Sequence, residues 1–140
     1  MIYESMSDQD TRDLGYKLGK CAKPGDIYCL DGELGTGKTV FTAGFAKGLA
    51  IETPVCSPTF TILQVYEEGR MPLYHFDVYR IEEPEEMEEI GFDEYAFGTG
   101  VCLIEWGSRI KEILPPGTVY ITIEKDLSRG FDYRRIRIEE

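Results

Sequence analysis

Positive charge is scarce in this sequence of 140 residues, because 15 lysines and arginines stand against 26 aspartates and glutamates, giving a net charge of −11. Affinity for nucleic acids depends mainly on lysine and arginine side chains that neutralise backbone phosphates. We therefore do not expect the chain to bind RNA or DNA tightly by itself. Several cations are nevertheless grouped in the C-terminal segment SRGFDYRRIRIEE, where they could bind a phosphate or an acidic partner.

Long apolar runs are also lacking. No stretch approaches the roughly 18 uninterrupted apolar residues that a membrane-spanning helix needs. The N-terminal sequence MIYESMSDQD is acidic and polar, whereas a signal peptide starts with a basic segment followed by an apolar one. These features predict a cytoplasmic protein that has no membrane partner.

The cysteines lack the spacing of a metal or redox site. Cys21, Cys29, Cys56 and Cys102 include no C-x-x-C pair, which is the spacing typical of zinc ligands and redox motifs. Three of them lie in apolar surroundings, where a free cysteine behaves as a small hydrophobic residue. We expect reduced thiols that lie mostly in the core.

The most informative motif is DGELGTGKT, residues 31–39, between an apolar run and a segment of helical pattern. The spacing Gly32-x-x-x-x-Gly37-Lys38-Thr39 matches the P-loop, in which backbone N–H groups and a helix N-terminus surround phosphates. In such a loop Lys38 reaches the β and γ phosphates and the Thr39 hydroxyl ligates Mg²⁺. The predicted nucleotide-binding residues here are Glu33, Leu34, Gly35, Thr36, Gly37, Lys38, Thr39 and Val40.

The remaining segments predict one α/β domain over residues 1–140. Helices are expected from about Asp8 to Ala22 and from about Lys38 to Ala50, with shorter ones in EPEEMEEIG and GSRIKEIL. Strands are expected in DIYCL and VCLIEW, in a hairpin formed by TFTILQVYEE and PLYHFDVYR, and in a closing pair, TVYITIEK and FDYRRIRIE. The fold class is therefore α/β: a three-layer P-loop NTPase fold, with helices on both faces of a mixed sheet that has an antiparallel hairpin and antiparallel C-terminal strands.

Two carboxylates are candidates for the metal and water chemistry of a P-loop enzyme, which needs an acid at the end of a neighbouring strand. Glu105 ends the apolar run VCLIEW, and Asp77 lies in the alternating strand YHFDVYR. His75 shares a strand face with Asp77, although a lone histidine between aromatic residues is more often structural. Thr59 follows Pro58 and could sense a γ-phosphate through Mg²⁺, as GTPase switch loops do.

Several functional classes remain open at this point. The guanine-recognition sequence Asn-Lys-x-Asp does not occur, so adenine is favoured over guanine. A small P-loop kinase would need an arginine-rich lid, whereas the hairpin and acidic segment after the P-loop helix carry only Arg70 and Arg80. A non-hydrolysing ATP-dependent regulatory module is the other alternative. Trp106, the sole tryptophan, suits either a core position or an interface anchor.

Five segments together resemble one family. They are GELGTGKTVFTAGFAKGL, VCSPTFTILQVYEEG, PLYHFDVYRI, EIGFDEYAFGTGVCLIEWGSRIKEILPPG and RRIRIE, and they resemble the TsaE family, formerly YjeE, of small bacterial ATPases in tRNA threonylcarbamoyladenosine synthesis. The resemblance covers nearly the whole chain, from TRDLGYKLG onward. Thr36 is a small departure, because the family often has alanine there.

The resemblance implies a P-loop ATPase that uses ATP and Mg²⁺ and acts with the TsaD and TsaB proteins. In this family TsaD transfers the threonylcarbamoyl group to the adenosine beside the anticodon of tRNAs that read codons beginning with A, and ATP hydrolysis by TsaE supports repeated turnover. The tRNA would be reached only indirectly, through the complex. Carried over to this sequence, Lys38, Asp77 and Glu105 would be catalytic, Thr39 and Glu105 would ligate the metal, Thr59 would be switch-like, and Trp106 would lie beside the site.

Overall fold

A seven-stranded sheet organises the computed structural model, which describes residues 1–33, 35–58 and 61–140. Its strands lie in the spatial order β1-β7-β6-β2-β5-β4-β3. In chain order they are β1 (Ile2–Ser5), β2 (Ile27–Asp31), β3 (Leu63–Tyr66), β4 (Leu73–Asp77), β5 (Val101–Glu105), β6 (Val119–Lys125) and β7 (Arg134–Glu139).

The sheet is mixed, as the sequence predicts. Strands β4, β5, β2 and β6 run parallel to one another, and their apolar sequences fit strands that are covered on both faces. The hairpin partner β3 is antiparallel to β4, while β7 is antiparallel to both β6 and β1. The predicted α/β class, with an antiparallel hairpin and antiparallel C-terminal strands, is therefore confirmed.

Helices cover both faces of this sheet. The two long ones, α1 (Asp8–Cys21) and α2 (Lys38–Gly48), pack with one hydrophobic cluster, and the short α3 (Glu86–Glu89) and α4 (Phe92–Ala96) pack with the other. A 3₁₀ helix, Gly107–Ile113, joins the second cluster through Ile110. Within the described ranges, no helix has both the length and the apolar character needed to cross a membrane.

The start of α1 is capped by side chains next to its first turn. The Ser7 side chain accepts a hydrogen bond from the Asp10 backbone N–H at 3.2 Å, and the Asp10 carboxylate accepts one from the Met6 N–H at 2.9 Å. The first bond satisfies one of the N–H donors that a helix N-terminus otherwise leaves unpaired, and the second ties the preceding residue to the first turn. The predicted start at Asp8 is confirmed, and the helix ends one residue before the predicted Ala22.

Three local features differ in detail from the sequence analysis. The acidic segment EPEEMEEIG forms only the single turn α3, because Gly91 adopts a left-handed φ of 75° and its neighbouring glutamates repel one another in a helix. The predicted helix in GSRIKEIL is a 3₁₀ helix. Strand β1 was not predicted, since its four residues are mostly exposed and it forms only through its pairing with β7.

The cysteines divide equally between core and surface. Cys29 and Cys102 are buried, and burial raises the pKa of each thiol to about 12. Cys21 and Cys56 are free and exposed, so the prediction that most of the thiols lie in the core is wrong. The sequence signal failed because a cysteine on a helix end or in a loop has apolar neighbours in sequence without being packed against them.

The helices α1 and α2 touch through their main chains. Each contributes two glycines spaced four residues apart to this contact: Gly15 and Gly19 from α1, and Gly44 and Gly48 from α2. A Cβ on Gly19 would lie 2.1 Å from the Phe45 carbonyl oxygen, and one on Gly44 would lie 2.1 Å from that of Arg12. The helices approach this closely only because the four side chains are missing.

This contact predicts the sign of a stability change. We expect Gly44→Ala to lower the free energy of unfolding by about 1–3 kcal/mol, because the new Cβ meets the main chain of α1. Helix propensity alone predicts the opposite, since alanine is favoured over glycine by about 1 kcal/mol in a helix interior. Denaturant titration measures the difference, with Lys17→Ala on the exposed side of α1 as the control. A more stable Gly44→Ala variant would contradict the contact.

Candidate functional site

The carboxyl ends of three parallel strands meet at one edge of the sheet. Strand β2 ends at Asp31 and leads into the glycine-rich loop, after which α2 begins at Lys38. Strand β5 ends at Glu105, which is the register partner of Leu30 in β2 and of Asp77 in β4. This edge is the usual ligand-binding side of an open α/β sheet. The two predicted carboxylates therefore lie side by side next to the predicted phosphate loop.

The loop is folded on itself through two left-handed glycines and an internal hydroxyl. Gly35 and Gly37 have φ values of 79° and 104°, which favour residues without a Cβ. The Glu33 carbonyl accepts hydrogen bonds from the Thr36 N–H at 3.2 Å and from the Thr36 hydroxyl at 2.7 Å. Thr36, the departure from the resembling family, is buried and tied within the loop. Leu34 lies outside the described residues.

Lys38 is almost completely buried among aromatic and acidic groups. The residue is only 8% exposed, and its Nζ lies 4.0 Å from the centre of the Trp106 ring, within cation–π distance. Burial lowers the pKa of Lys38, while the nearby carboxylates of Glu105, Asp77 and Asp31 oppose that shift. The predicted position of Trp106 beside these residues is thus observed.

The backbone turn at Trp106 holds the indole in place. Trp106 has a left-handed φ of 63°, which is uncommon for a bulky residue, and its N–H donates to the Leu30 carbonyl at 3.0 Å. The next residue must be glycine, because a Cβ on Gly107 would lie 2.3 Å from the Cys29 sulfur. The Tyr79 ring packs at 5.2 Å from the indole. The turn therefore places Trp106 directly after the end of β5, with its indole between the Tyr79 ring and the Lys38 ammonium.

Glu105 is oriented by the single histidine. His75 Nε2 lies 2.9 Å from Glu105 Oε2, and the two residues are 2% and 7% exposed. Asp77, 7% exposed, accepts a hydrogen bond from the Tyr79 N–H at 3.0 Å. The sequence left open whether His75 is structural or part of the site, and the structure places it in direct contact with the candidate metal ligand Glu105.

A cavity of about 10 Å³ lies beside this pair, which is room for about one water-sized group. Two residues of its lining, Thr42 and His75, each carry a buried polar atom (Oγ1 and Nδ1) that has no hydrogen-bond partner within the described residues. The cavity lining also offers the Thr39 hydroxyl and the Glu105 carboxylate. Mg²⁺ prefers such oxygen donors and combines one or two carboxylates with phosphate and water oxygens, so the residues fit this ion. The lining consists of Thr39, Thr42, Val55, Cys56, Ser57, His75 and Glu105.

A larger cavity of about 210 Å³ lies elsewhere, between α1 and the β1–β7 edge of the sheet. Among the described residues, its lining includes none that the sequence singles out for phosphate, metal or catalysis. We therefore place the candidate site at the loop, where the chemistry converges, although the cavity there is the smaller of the two.

The other predicted nucleotide-binding residues that the structure describes lie in the loop or directly after it. Glu33 and Thr39 are exposed and Val40 is half-buried, the latter two in the first turn of α2. Thr59, the predicted switch-like residue, lies outside the described residues.

Sequence reasoning missed two charged residues at the loop. Asp31 Oδ1 accepts a long hydrogen bond, 3.5 Å, from the Ser108 N–H, and burial raises the pKa of Asp31. The Arg134 guanidinium donates to two loop carbonyls, those of Gly35 and Thr36. Asp31 could have been found from its place directly before the loop. Arg134 could have been found because it lies two residues before Ile136 and therefore on the same face of its strand, the face that packs against α2.

Comparison with known proteins gives one consistent result. The family model of threonylcarbamoyl adenosine biosynthesis protein TsaE matches residues 5–135. The chain is 46% identical over 134 residues to the tRNA threonylcarbamoyladenosine biosynthesis protein TsaE of Bacillus subtilis, covering 96% of this chain and 82% of that protein. It is 47% identical over 119 residues to the protein of the same name from Treponema pallidum, covering 85% and 87%.

A solved structure agrees with these relatives. The crystal structure of YdiB from Bacillus subtilis superposes with a TM-score of 0.82 at 41% sequence identity, covering 97% of this chain and 82% of that one. At this identity and coverage, the likeness extends to the whole fold.

The burial of Asp31 predicts a pH dependence of stability. The unfolded chain releases this proton near the ordinary pKa of 3.8, whereas the folded protein retains it to higher pH because burial raises the pKa. Ionisation of Asp31 therefore lowers stability as pH rises from about 3.8 to the raised value. We expect the stability of Asp31→Asn relative to the native chain to increase across that window in thermal or denaturant unfolding. Asp132→Asn, at an exposed position, is the control, and a flat difference for Asp31→Asn would refute the prediction.

Proposed function

Because the chain belongs to the TsaE family of threonylcarbamoyl adenosine biosynthesis proteins, we propose that it is the ATP-binding and ATP-hydrolysing subunit of this pathway. It would support formation of the threonylcarbamoyl modification on the adenosine beside the anticodon of tRNAs that read codons beginning with A, working in the cytoplasm with TsaD and TsaB. The observation that carries the proposal is the register of Asp77 with Glu105 beside the buried Lys38.

Binding of the triphosphate falls to the loop and Lys38. The left-handed Gly35 and Gly37 shape a main chain whose N–H groups suit phosphate oxygens, and the N-terminus of α2 adds a favourable dipole. Lys38 already lies in a dry position, where a charge-assisted hydrogen bond to phosphate is stronger than in water. Its contact with the Trp106 ring keeps the ammonium beside the loop.

Thr39 and Glu105 would hold Mg²⁺, which when bound neutralises negative charge on the phosphate oxygens and orients them. Glu105 is prepared for this role because His75 fixes one of its oxygens at 2.9 Å. With an ionised Glu105 and a neutral imidazole, His75 donates from Nε2 and its Nδ1 is an acceptor. His75 also lines the small cavity.

Asp77 is the proposed positioning group for the metal or the attacking water. Its carboxylate is buried next to Glu105, and one oxygen is held by the Tyr79 N–H. A carboxylate fixed in this way accepts a hydrogen bond from a water molecule without first having to reorganise.

TsaD and TsaB would supply the tRNA binding and the positive charge at the phosphates that this acidic chain offers poorly. With a net charge of −11, the chain leaves the binding of tRNA to TsaD and TsaB. Arg134 contacts the loop, but its guanidinium donates its hydrogen bonds to backbone carbonyls and so is not directed at the phosphates. A positive group supplied in trans increases phosphoryl-transfer rates by about 10³ or more in other P-loop enzymes, so the isolated chain would be a slow ATPase.

We predict that Lys38→Ala weakens ATP binding by about tenfold to a hundredfold. The substitution removes charge-assisted contacts worth about 1.5–3 kcal/mol. Calorimetric titration with Mg²⁺ and ATP measures this change, and Lys47→Ala, on the exposed last turn of the same helix, provides the matched control. Equal ATP affinity in folded Lys38→Ala and in the native chain would refute the P-loop assignment.

We further predict that Glu105→Gln and Asp77→Asn bind ATP nearly as well as the native chain but hydrolyse it at least about a hundredfold more slowly. Each substitution preserves volume while removing a charge that supports the metal or the water, and each 1.36 kcal/mol of added barrier is about tenfold in rate. Steady-state ATP turnover is measured for the chain alone and after mixing with TsaD and TsaB, and the exposed Glu112→Gln is the control.

The same assay separates the alternatives. Native turnover should be slow alone and accelerate in the mixture, while tRNA binding should need the partners. ATP binding without turnover even in the mixture would favour a non-hydrolysing regulatory module. Fast turnover alone, or phosphate transfer to a small acceptor as in a P-loop kinase, would contradict the proposal.

A further inference from the structure

One arginine far along the chain is bonded to the main chain of the phosphate loop. Arg134, the first residue of β7, donates from Nε to the Thr36 carbonyl at 2.9 Å and from Nη2 to the Gly35 carbonyl at 3.3 Å. Its Nη1 donates to the carbonyls of Phe131 at 2.9 Å and Tyr133 at 2.7 Å. A single guanidinium thus connects the loop to the segment between β6 and β7.

The chemistry of this contact needs arginine rather than any cation. The guanidinium is planar and presents five N–H donors in a fixed fork, so one side chain satisfies several carbonyls in defined directions. A lysine ammonium is a point charge on a flexible stem and cannot reproduce that set of bonds. All of its partners in these bonds are backbone carbonyl oxygens. Arg134 therefore does not neutralise a charge in these bonds; it holds peptide groups in fixed orientations.

The bond to Thr36 determines where the next N–H group points. In a trans peptide the C=O and the N–H point in opposite directions, so a Thr36 carbonyl held toward Arg134 directs the Gly37 N–H to the other side of the loop. Gly37 immediately precedes Lys38 and α2, and its φ of 104° requires a residue without a Cβ. Arg134 thereby fixes the peptide plane from which α2 begins.

We propose that Arg134 is a positioning residue that holds the main chain of the phosphate loop ready for the nucleotide. The inference rests on the proposed ATP-binding function and adds to it a residue 98 positions away from Thr36 in the chain. Arg134 does not itself need to touch the phosphates. Its effect is to reduce the reorganisation that the loop would otherwise undergo on binding.

A neighbouring cation allows charge to be separated from geometry. Lys125 is the register partner of Arg134 across the β6–β7 ladder, and its Nζ lies 3.2 Å from the position that a Cβ on Gly35 would occupy. Lys125→Gln therefore removes one positive charge beside the same loop while leaving the four arginine bonds in place. Arg134→Lys does the reverse, because it keeps the charge and removes the fork.

The experiment compares Arg134→Lys and Arg134→Gln with Lys125→Gln in the full chain. A fourth variant, Arg135→Gln, alters the adjacent β7 residue, whose side chain pairs with Asp126 at 3.7 Å on the opposite sheet face. Backbone hydrogen exchange is measured without nucleotide, and the dissociation constant for ATP is measured with Mg²⁺. Turnover with TsaD and TsaB separates KM from kcat.

We expect Arg134→Lys to exchange loop amides at least about tenfold faster than the native chain, with strands β2, β5 and β6 unchanged. Its ATP affinity should fall about tenfold, more than that of Lys125→Gln, and KM should rise while kcat changes little. Arg135→Gln should resemble the native chain. If Arg134→Gln fails to fold, the conservative Arg134→Lys still decides the outcome.

Two results would overturn the proposal: unchanged loop exchange and ATP affinity in Arg134→Lys, or faster exchange spread equally over the whole sheet, which would indicate a general structural role. Failure of the proposed function has a different signature. If the native chain does not bind ATP but its loop exchange still depends on Arg134, the ATP assignment is lost and the positioning of the loop by Arg134 stands.

Discussion

The parallel register of β2, β5 and β4 is the constraint on which the site depends. It pairs Glu105 with both Leu30 and Asp77, so that one sheet edge presents the loop and both acids together. Side chains alternate between the two faces of a strand, so a shift of β4 or β5 by a single residue would turn its carboxylate away from α2. The apolar residues that fill the strands and lock their register are thus as necessary to the site as its polar groups.

Within that frame, the buried charges stabilise one another. An isolated charge away from water carries a large desolvation penalty, and here the Lys38 ammonium lies among the carboxylates of Asp31, Asp77 and Glu105. His75 and the Tyr79 N–H satisfy two of the carboxylate oxygens. The cluster holds three carboxyl groups and one ammonium, a composition that fits the proposed use of a divalent cation.

Local sequence patterns predict much of the fold and of the candidate site, whereas contacts between residues far apart in the chain could not be predicted. The loop spacing, the apolar run before Glu105 and the alternation around Asp77 each lie within a few residues, so the sequence indicates them directly. The bond between Arg134 and Thr36 joins residues 98 positions apart and follows only from the order of strands in the sheet. The contact of His75 with Glu105 likewise depends on the pairing of β4 with β5. The helix predicted in EPEEMEEIG forms, but it is only one turn long, because the left-handed Gly91 ends it and the acidic run offers few apolar residues to bury.

The turn that holds Trp106 has a spectroscopic consequence. The chain has one tryptophan, and its indole lies 4.0 Å from the Lys38 ammonium at the end of β5. Tryptophan fluorescence of this protein therefore comes from one position. That position is next to the Lys38 ammonium, which would move if a bound phosphate drew it away from the ring. The intrinsic fluorescence of Trp106 thus reports on the environment of that ammonium without an added label.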